Sequence, residues 1–268
     1  MAAVEENKHS LMPKYRVRHC MKSHVIINNL LIQYYVYGKR DFPSIIFLHG
    51  WRAEGTIWND IATKLSRDFN VHALDLPGFG GSSAPTIPFT ISDYADIVSG
   101  FMKKMKIKKS ILVGHSFGGR IAIKISATKP KLVKKLVLID SAGFADKKRQ
   151  GMKFLAKLVK PLFAPAWMQG MRTRIYKMIR AEDYLATPVL QKTFVNIVEE
   201  DLSDDVSRIH APTLLLWGEN DTETPMLYGR KMHEKIQNSQ LVVLSGAGHF
   251  SFLDKPIGWY TALTNFLK

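Results

Sequence analysis

The chain has 268 residues, of which 46% are hydrophobic and 23% are charged, and its formal net charge at pH 7 is +15. This length allows one large buried core, and the absence of an uninterrupted apolar stretch of about 18 residues argues against a membrane-spanning helix. The single cysteine, Cys20, excludes an intramolecular disulfide, and residues 1–15 lack the apolar core of a secretory signal, so a cytoplasmic location is expected.

The first predicted elements form an antiparallel hairpin that follows an N-terminal extension over residues 1–22. Its strands cover 24–28 and 31–37, are rich in Val, Ile and Tyr, and are separated by Asn29 and Leu30. The next run, 44–48, is apolar throughout, which is typical of a strand buried on both faces of a sheet. It ends in the tripeptide His49-Gly50-Trp51.

Helix and strand patterns then alternate. A helix is predicted over 56–66, a strand over 71–74, a second helix over 91–105 and a buried strand over 136–140. This alternation predicts a mostly parallel sheet with helices on both faces.

The motif Gly-x-Ser-x-Gly lies between an apolar run, 111–113, and a helix-like segment that begins at Arg120. A serine at such a corner adopts a strained backbone conformation that exposes its hydroxyl, and Gly114 and Gly118 remove side chains that would collide across the turn. The pattern therefore predicts a nucleophile elbow with Ser116 as the nucleophile. The alternative is an ordinary serine-containing turn before a helix.

From about residue 142 to 209 the spacing of apolar residues is helical and no strand pattern occurs. We expect a helical cap over 142–209, inserted into a core domain made of 23–141 and 210–268. Strands are predicted again over 213–218 and 240–244, with helices over 225–236 and 259–267.

A serine nucleophile needs a base, and histidine is the side chain that titrates near neutral pH. His249 follows the last predicted strand through a glycine-containing loop that can place its imidazole over the carboxyl edge of the sheet. The alternative is a surface histidine. His115 is a weaker candidate because it adjoins the serine at the elbow.

The base in turn needs a carboxylate to orient it. Asp221, just past the strand 213–218, is the first choice, although Glu219 and Glu223 are close to it in sequence. Asp140, at the end of another strand, is the alternative acid. Asp75 precedes Leu-Pro-Gly, where it is better interpreted as a structural carboxylate that caps a turn.

The tetrahedral intermediate of acyl transfer needs two hydrogen-bond donors for its negative oxygen. The backbone N–H groups of Trp51 and Phe117 are the predicted oxyanion hole, and His49 is expected to hold the loop. The Trp51 ring either narrows the acyl pocket or packs in the core. No zinc-protease helix and no dinucleotide fingerprint is present, so we expect neither a metal nor a cofactor.

From about His24 onward, four ordered motifs resemble those of the α/β-hydrolase superfamily. They are His49-Gly50-Trp51, Asp75 to Ser82, Gly114 to Gly119, and the pair formed by Gly218-x-x-Asp221 and Gly248-His249-Phe250. The resemblance implies an eight-stranded, mostly parallel sheet with an inserted helical cap. Within the superfamily the chain resembles carboxylesterases, carrier-protein methyl esterases and meta-cleavage carbon-carbon hydrolases.

The expected activity is cofactor-independent hydrolysis of a carboxylic ester or related acyl bond of a small molecule. One alternative is hydrolysis of a carbon-carbon bond in a diketone, and another is a non-catalytic ligand receptor. Serine rather than aspartate at position 116 argues against the dehalogenase and epoxide hydrolase branches.

The positive charge suggests anionic partners. Between Lys147 and Arg180 there are ten Lys and Arg residues and no Asp or Glu, which favours either a solvated outer face of the cap or a collar that attracts an anionic substrate, an acidic acyl carrier protein or an anionic membrane surface. The lysines of 103–109 are interpreted as a solvated face, and no specific nucleic acid binding is expected. The sequence leaves the oligomeric state open.

Overall fold

The fold is seen in a computed structural model that describes residues 20–145 and 187–268. Its strands are β1 Met21–Ile27, β2 Leu30–Tyr37, β3 Ser44–Leu48, β4 Asn70–Leu74, β5 Ser110–His115, β6 Val133–Ile139, β7 Thr213–Gly218 and β8 Ser239–Leu244. They form one sheet of eight strands in the order β1-β2-β4-β3-β5-β6-β7-β8. The β1/β2 and β2/β4 pairs are antiparallel and all others are parallel, which confirms the predicted architecture.

Helices connect the parallel strands. They are α1 Asn59–Leu65, α2 Ile91–Lys104, α3 Phe117–Thr128, α4 Gln191–Glu199, α5 Ser203–Ser207, α6 Met226–Lys235, α7 Ser251–Asp254 and α8 Pro256–Leu267. Short 3₁₀ turns occur at Gly55–Trp58, Pro130–Leu132 and Pro188–Leu190. The start of α2 is defined by a capping box, in which Thr90 and Asp93 each accept a hydrogen bond from the backbone N–H of the other.

Both faces of the sheet are covered. Along β5, Leu112 packs into one core cluster with α2 and α3, whereas Ile111 and Val113 pack into a second cluster that includes Trp58 and Trp259. Because successive side chains of a strand point to opposite faces, two covered faces require apolar residues at every position. This explains the uninterrupted apolar runs in the sequence.

Element boundaries differ from the predictions by up to three residues. β1 begins at Met21, inside the predicted extension 1–22, β6 begins at Val133 rather than at 136, and α8 begins at Pro256 rather than at 259. The hairpin prediction included Asn28 in the first strand, but Asn28 and Asn29 both have positive φ angles, of 48° and 63°, so they form the turn and β1 ends at Ile27. Asparagine tolerates this left-handed conformation better than other non-glycine residues. The helix predicted over 56–66 begins instead as a 3₁₀ turn, and its α-helical part covers Asn59–Leu65.

Part of the predicted cap, 142–209, lies outside the described residues. In the described part, the two stems of this segment are joined, because Leu202 N donates to Gly143 O at 2.9 Å and Ala145 N donates to Asp201 Oδ2 at 3.0 Å. Leu202 packs in the same core cluster as α3. Across 20–145 and 187–268, no helix combines the length and apolar character needed to cross a membrane.

Charged side chains attach the second stem to α3. Lys124 Nζ lies 2.9 Å from Glu200 Oε1 and 2.6 Å from Asp205 Oδ2. Arg120, which is 3% exposed, donates from its guanidinium to the Glu200 carbonyl. The helix that follows Ser116 therefore also anchors the second stem of the segment predicted to form the cap.

Candidate active site

Ser116 occupies the corner between β5 and α3 with a φ of 50° and a ψ of −109°. A non-glycine residue in this region is strained by roughly 1–3 kcal/mol and persists only where the surroundings enforce it. Here Ser116 N donates to Ile139 O at 3.0 Å. A Cβ atom on Gly114 would collide with the backbone of α3, and one on Gly118 would collide with the Leu48 carbonyl. The two glycines thus permit the close approach predicted from the motif.

His249 and Asp221 form a hydrogen-bonded pair at the carboxyl ends of β7 and β8. The distance from His249 Nδ1 to Asp221 Oδ2 is 2.9 Å, and Asp221 is 5% exposed. The other carboxylate oxygen, Oδ1, accepts the backbone N–H groups of Glu223 and Thr224 at 2.7 and 3.0 Å. The Thr224 hydroxyl is 2.6 Å from Asp221 Oδ2. Each oxygen of the buried carboxylate therefore has two hydrogen-bonding groups within 3.0 Å.

These contacts set the protonation states of the pair. Burial pushes the pKa of Asp221 upward, but the hydrogen bonds from His249 and Thr224 and the charge of the imidazolium outweigh it, so its pKa is lowered. Burial likewise pushes the pKa of His249 downward, but the bond to Asp221 and the negative charges of Asp221 and Glu223 raise it above the ordinary value. The arrangement keeps Asp221 ionised and stabilises a protonated His249.

Ser116 and His249 are brought to the same edge of the sheet through His115. The ring centroids of His115 and His249 are 4.9 Å apart, and His115 Nε2 lies 2.8 Å from the His249 carbonyl oxygen. Burial and the adjacent His249 lower the pKa of His115 to about 3, so the ring is neutral and donates from Nε2. His115 therefore fixes the backbone of His249.

Among the described residues, no hydrogen bond joins the Ser116 hydroxyl to His249. The Nε2 atom of His249 lies 3.9 Å from Glu223 Oε2.

Asp140, the alternative acid, has other partners. Its carboxylate accepts hydrogen bonds from Gly218 N at 2.7 Å and from the backbone and hydroxyl of Ser251. Burial raises its pKa to about 7 despite those bonds. It therefore joins the end of β7 to the start of α7, directly beneath the loop that carries His249.

The two glutamates near Asp221 also differ in their contacts. Glu219 accepts hydrogen bonds from the hydroxyl of Ser245 and the backbone of Gly246, so it stabilises the loop before His249 and not the imidazole itself. Glu223 faces the other side of the imidazole, but its side chain is 52% exposed.

Asp75 has the structural surroundings that its position suggested. It is fully buried, and its carboxylate accepts hydrogen bonds from the backbone of Gly55 at 2.7 Å and of Gly81 at 2.8 Å. The side-chain amide of Gln33 donates to it as well. Asp75 thus joins β2, the loop after β3 and the loop after β4.

The loop after β3 lies against the elbow. A Cβ atom on Gly50 would be 3.5 Å from Ser116 Cβ, so the backbone at Gly50 and Trp51 passes beside the serine. His49 is fully buried, and burial lowers its pKa to about 4. The neutral ring bonds the Gly50 carbonyl through Nδ1 at 2.8 Å and accepts from Leu76 N through Nε2 at 3.0 Å. His49 therefore holds this loop.

Two backbone N–H groups beside Ser116 are available to a ligand. Within the described part of the chain, neither Trp51 N nor Phe117 N donates to another backbone group outside regular secondary structure. Phe117 is the first residue of α3, where the N–H has no partner inside the helix and the helix dipole favours negative charge. These are the donors that the sequence suggested for an oxyanion.

The Trp51 ring is half-buried in a cluster of aromatic side chains. Its centroid lies 4.8 Å from Phe79, 5.2 Å from Phe117 and 5.2 Å from Phe194 of α4. The cluster joins the loop after β3, the elbow and the described part of the predicted cap. The ring packs on the core residues Phe79 and Phe117 and also on Phe194, which lies in the segment predicted to form the cap.

Sequence reasoning missed the roles of His115 and Thr224. The Thr224 hydroxyl contacts Asp221, the Asp140 carbonyl and, at 3.3 Å, His249 Nδ1. Asp221 is only three residues from Thr224, but the other partners of Thr224, Asp140 and His249, are 84 and 25 residues away in the chain. The partner of His115, the His249 carbonyl, is 134 residues away, so no local pattern identifies either role. Among the described residues, no group of three or more His, Cys, Asp or Glu side chains could hold a metal ion.

Known proteins resemble this chain in sequence and in fold. The model of the family described as "Alpha/beta hydrolase family" matches residues 45–263. The uncharacterized hydrolase YugF of Bacillus subtilis is 24% identical over 262 residues, covering 90% of this chain and 96% of YugF. A pimeloyl-[acyl-carrier protein] methyl ester esterase of Nitrosomonas europaea is 25% identical over 80% of this chain and 91% of its own. A solved structure of a membrane phospholipase A superposes with a TM-score of 0.77 at 25% identity, covering 94% of this chain and 86% of that one.

Proposed function

Because this chain belongs to the alpha/beta hydrolase family, we propose that it is a cofactor-independent serine hydrolase that cleaves a carboxylic ester or a related acyl bond. Ser116 is the nucleophile, His249 the general base and Asp221 the acid that orients it. The observation that carries this proposal is the buried 2.9 Å pair of His249 and Asp221 at the same edge of the sheet as a strained Ser116, whose neighbour His115 contacts His249.

In the first half of the proposed reaction, Ser116 Oγ attacks the ester carbonyl and its proton passes to His249 Nε2. The resulting imidazolium is stabilised through Nδ1 by Asp221, whose pKa is lowered and which therefore stays ionised near neutral pH. His249 then gives its proton to the departing alcohol, and an acyl-Ser116 intermediate remains. The bond between base and nucleophile in such sites often tightens only when the substrate is bound.

The second half of the reaction returns the enzyme to its starting state. A water molecule loses a proton to His249 and attacks the acyl-enzyme, and collapse of the second tetrahedral intermediate releases the acid and restores the Ser116 hydroxyl. In both intermediates the negative oxygen accepts hydrogen bonds from Trp51 N and Phe117 N. Removal of one such donor typically costs about 3–4 kcal/mol in the transition state.

The named relatives support an ester as the substrate class. One is a methyl ester esterase and another a phospholipase, and both names specify hydrolysis of a carboxylic ester. The proposal includes a small molecule as the acyl substrate. It also includes a cytoplasmic location, which is supported by the presence of a single cysteine, because disulfides are rare in that compartment. The basic segment between Lys147 and Arg180 lies outside the described residues, so attraction of an anionic substrate, an acidic carrier protein or a membrane by that segment remains a proposal from sequence.

Stopped-flow hydrolysis of short p-nitrophenyl esters tests the proposed function. We expect a burst of about one p-nitrophenol per protein followed by steady turnover, and loss of both in Ser116→Ala. Ser207→Ala, which removes an exposed hydroxyl from α5, is the matched control and should behave as wild type.

The same assay separates the two alternatives. A burst without later turnover would indicate a ligand receptor on a hydrolase scaffold, and faster cleavage of a meta-cleavage diketone than of every ester would indicate carbon-carbon hydrolysis. An unchanged burst in Ser116→Ala would contradict the proposed nucleophile.

A further inference from the structure

Two lysine-rich segments meet at the edge of the sheet where β5 and β6 begin. Lysines 103–109 cover the end of α2 and the approach to β5, and a second group precedes and begins β6. Ser110 of β5 pairs with Val133 of β6, and paired strands lie about 4.8 Å apart. We call this set the lysine edge, and it consists of Lys103, Lys104, Lys106, Lys108, Lys109, Lys131 and Lys134.

The side chains of the lysine edge are exposed, and in the described part of the chain none of them forms an ion pair with Asp or Glu. Neighbouring lysines differ in this respect. Lys129 pairs with Asp96 at 2.5 Å, and Lys135 donates to the Phe266 carbonyl at the end of α8. The lysine edge is thus a concentration of uncompensated positive charge.

Stabilisation of helix α2 explains the presence of only two of these lysines. Lys103 and Lys104 lie in the last turn of α2, where a positive charge favours the helix C-terminus. The other five lysines lie outside that turn. Seven like charges on one edge repel one another, so a binding partner of opposite charge would relieve a cost that the isolated protein carries.

The chemistry of the patch favours a diffuse anionic surface. All of its charges are lysines, which act as point charges, whereas arginine provides the planar fork suited to nucleic acid phosphates and bases. Met105 and Ile107, between the lysines, pack against the core and do not protrude. Among the large hydrophobic residues exposed in the described ranges, the aromatic one is Phe250, at the opposite edge, so no ring is presented here for base stacking.

From these observations we propose that the lysine edge attaches the protein to an anionic lipid surface through electrostatic attraction alone. β5 runs from the lysine edge to Ser116, a length of about 20 Å for six residues. The candidate active site therefore faces away from the attached surface and stays open to the aqueous phase. This proposal does not depend on the reaction that Ser116 carries out.

The expected strength follows from the charges. A lysine close to an anionic bilayer strengthens binding about fivefold, so loss of four engaged lysines weakens it about 600-fold. Attraction without apolar insertion is also screened by salt, since the Debye length falls from about 8 Å at physiological ionic strength to about 3 Å at 1 M.

The test is co-sedimentation of the full chain with vesicles of phosphatidylcholine, with or without phosphatidylserine. The test variant replaces four lysines outside α2 by glutamine, namely Lys106, Lys108, Lys109 and Lys131. The control variant makes the same charge change elsewhere on exposed positions, namely Lys22, Lys192, Lys231 and Lys255. Hydrolysis of p-nitrophenyl acetate and the circular dichroism spectrum verify that both variants are folded.

We expect wild type and the control variant to bind only the vesicles that contain phosphatidylserine and to dissociate at 1 M salt. The test variant should bind about 600-fold more weakly with unchanged hydrolysis. Equal weakening in both variants would mean that binding depends only on net charge. Undiminished binding by the test variant would mean that another surface contacts the vesicles. Either result overturns the proposal. The proposal is also overturned if the wild-type protein does not bind the vesicles, or if the protein binds RNA or DNA more tightly than the vesicles in a competition assay.

Discussion

The hydroxyl of Thr224 lies 2.6 Å from the Oδ2 atom of Asp221, the same oxygen that His249 Nδ1 contacts at 2.9 Å. Thr224 also reaches the Asp140 carbonyl at 2.8 Å, and its own carbonyl accepts a hydrogen bond from the Trp217 indole. One threonine thus connects the candidate acid to the ends of two strands. We infer that Thr224 holds the Asp221 carboxylate in the orientation that the imidazole requires.

Replacement of Thr224 tests this positioning role. We expect Thr224→Val to lower kcat by roughly 10- to 100-fold with little change in KM, because loss of one hydrogen bond to a charged group costs about 1.5–3 kcal/mol in transition-state stabilisation. Thr224→Ser keeps the hydroxyl and should restore most of the activity. Steady-state kinetics on a p-nitrophenyl ester measure both, and a Val variant within twofold of wild type would contradict the role.

Exchange of the two buried carboxylates for amides distinguishes Asp221 from Asp140. Asp221→Asn should lower kcat by about 10³-fold or more, since the amide cannot stabilise the imidazolium and favours the wrong tautomer. Asp140→Asn should retain activity within about tenfold, because Asp140 bonds Gly218 and Ser251 rather than His249. If Asp140→Asn is inactive and Asp221→Asn keeps nearly wild-type kcat, Asp221 is not the acid that orients His249.

The pH dependence of kcat/KM should report the raised pKa of His249. A general base must be unprotonated, so activity should fall as pH decreases through that pKa, while Asp221 stays ionised because its own pKa is lowered. Glu223→Gln removes one of the negative charges that raise the His249 pKa, so the acid limb should move to lower pH. Since Glu223 is about half exposed, solvent weakens the effect, and a displacement of a few tenths of a pH unit is expected. A displacement to higher pH would contradict this account of the electrostatics.

The contacts of Lys124 predict a difference in thermal stability. Lys124→Met leaves Glu200 and the buried Asp205 without their shared partner, so we expect a loss of about 2 kcal/mol in the free energy of unfolding, or roughly 4–8 °C in Tm. Lys129→Met breaks an exposed pair with Asp96 and should change stability by less than about 1 kcal/mol. Differential scanning calorimetry compares the two, and equal Tm values would show that Lys124 does not anchor the stem of the predicted cap.

The fold could be predicted from sequence because the sheet is buried on both faces, which leaves continuous apolar runs, and because glycine motifs mark the strand ends. The sequence ranks Asp221 above Asp140 as the acid, but apolar runs and glycine motifs do not exclude Asp140. Each follows a buried strand, and what separates them is the position of donors such as Ser251, which is 111 residues from Asp140. His115 illustrates the same limit, since its partner, the carbonyl of His249, is 134 residues away.

The central claim is that Ser116 is the nucleophile, and covalent labelling tests it most directly. The protein would be treated with a fluorophosphonate, digested and analysed by tandem mass spectrometry, with Ser116→Ala and the control Ser207→Ala in parallel. The account predicts one phosphonyl adduct, on Ser116, in wild type and in Ser207→Ala, and none in Ser116→Ala. An adduct on another residue, or equal labelling of Ser116→Ala, would contradict it.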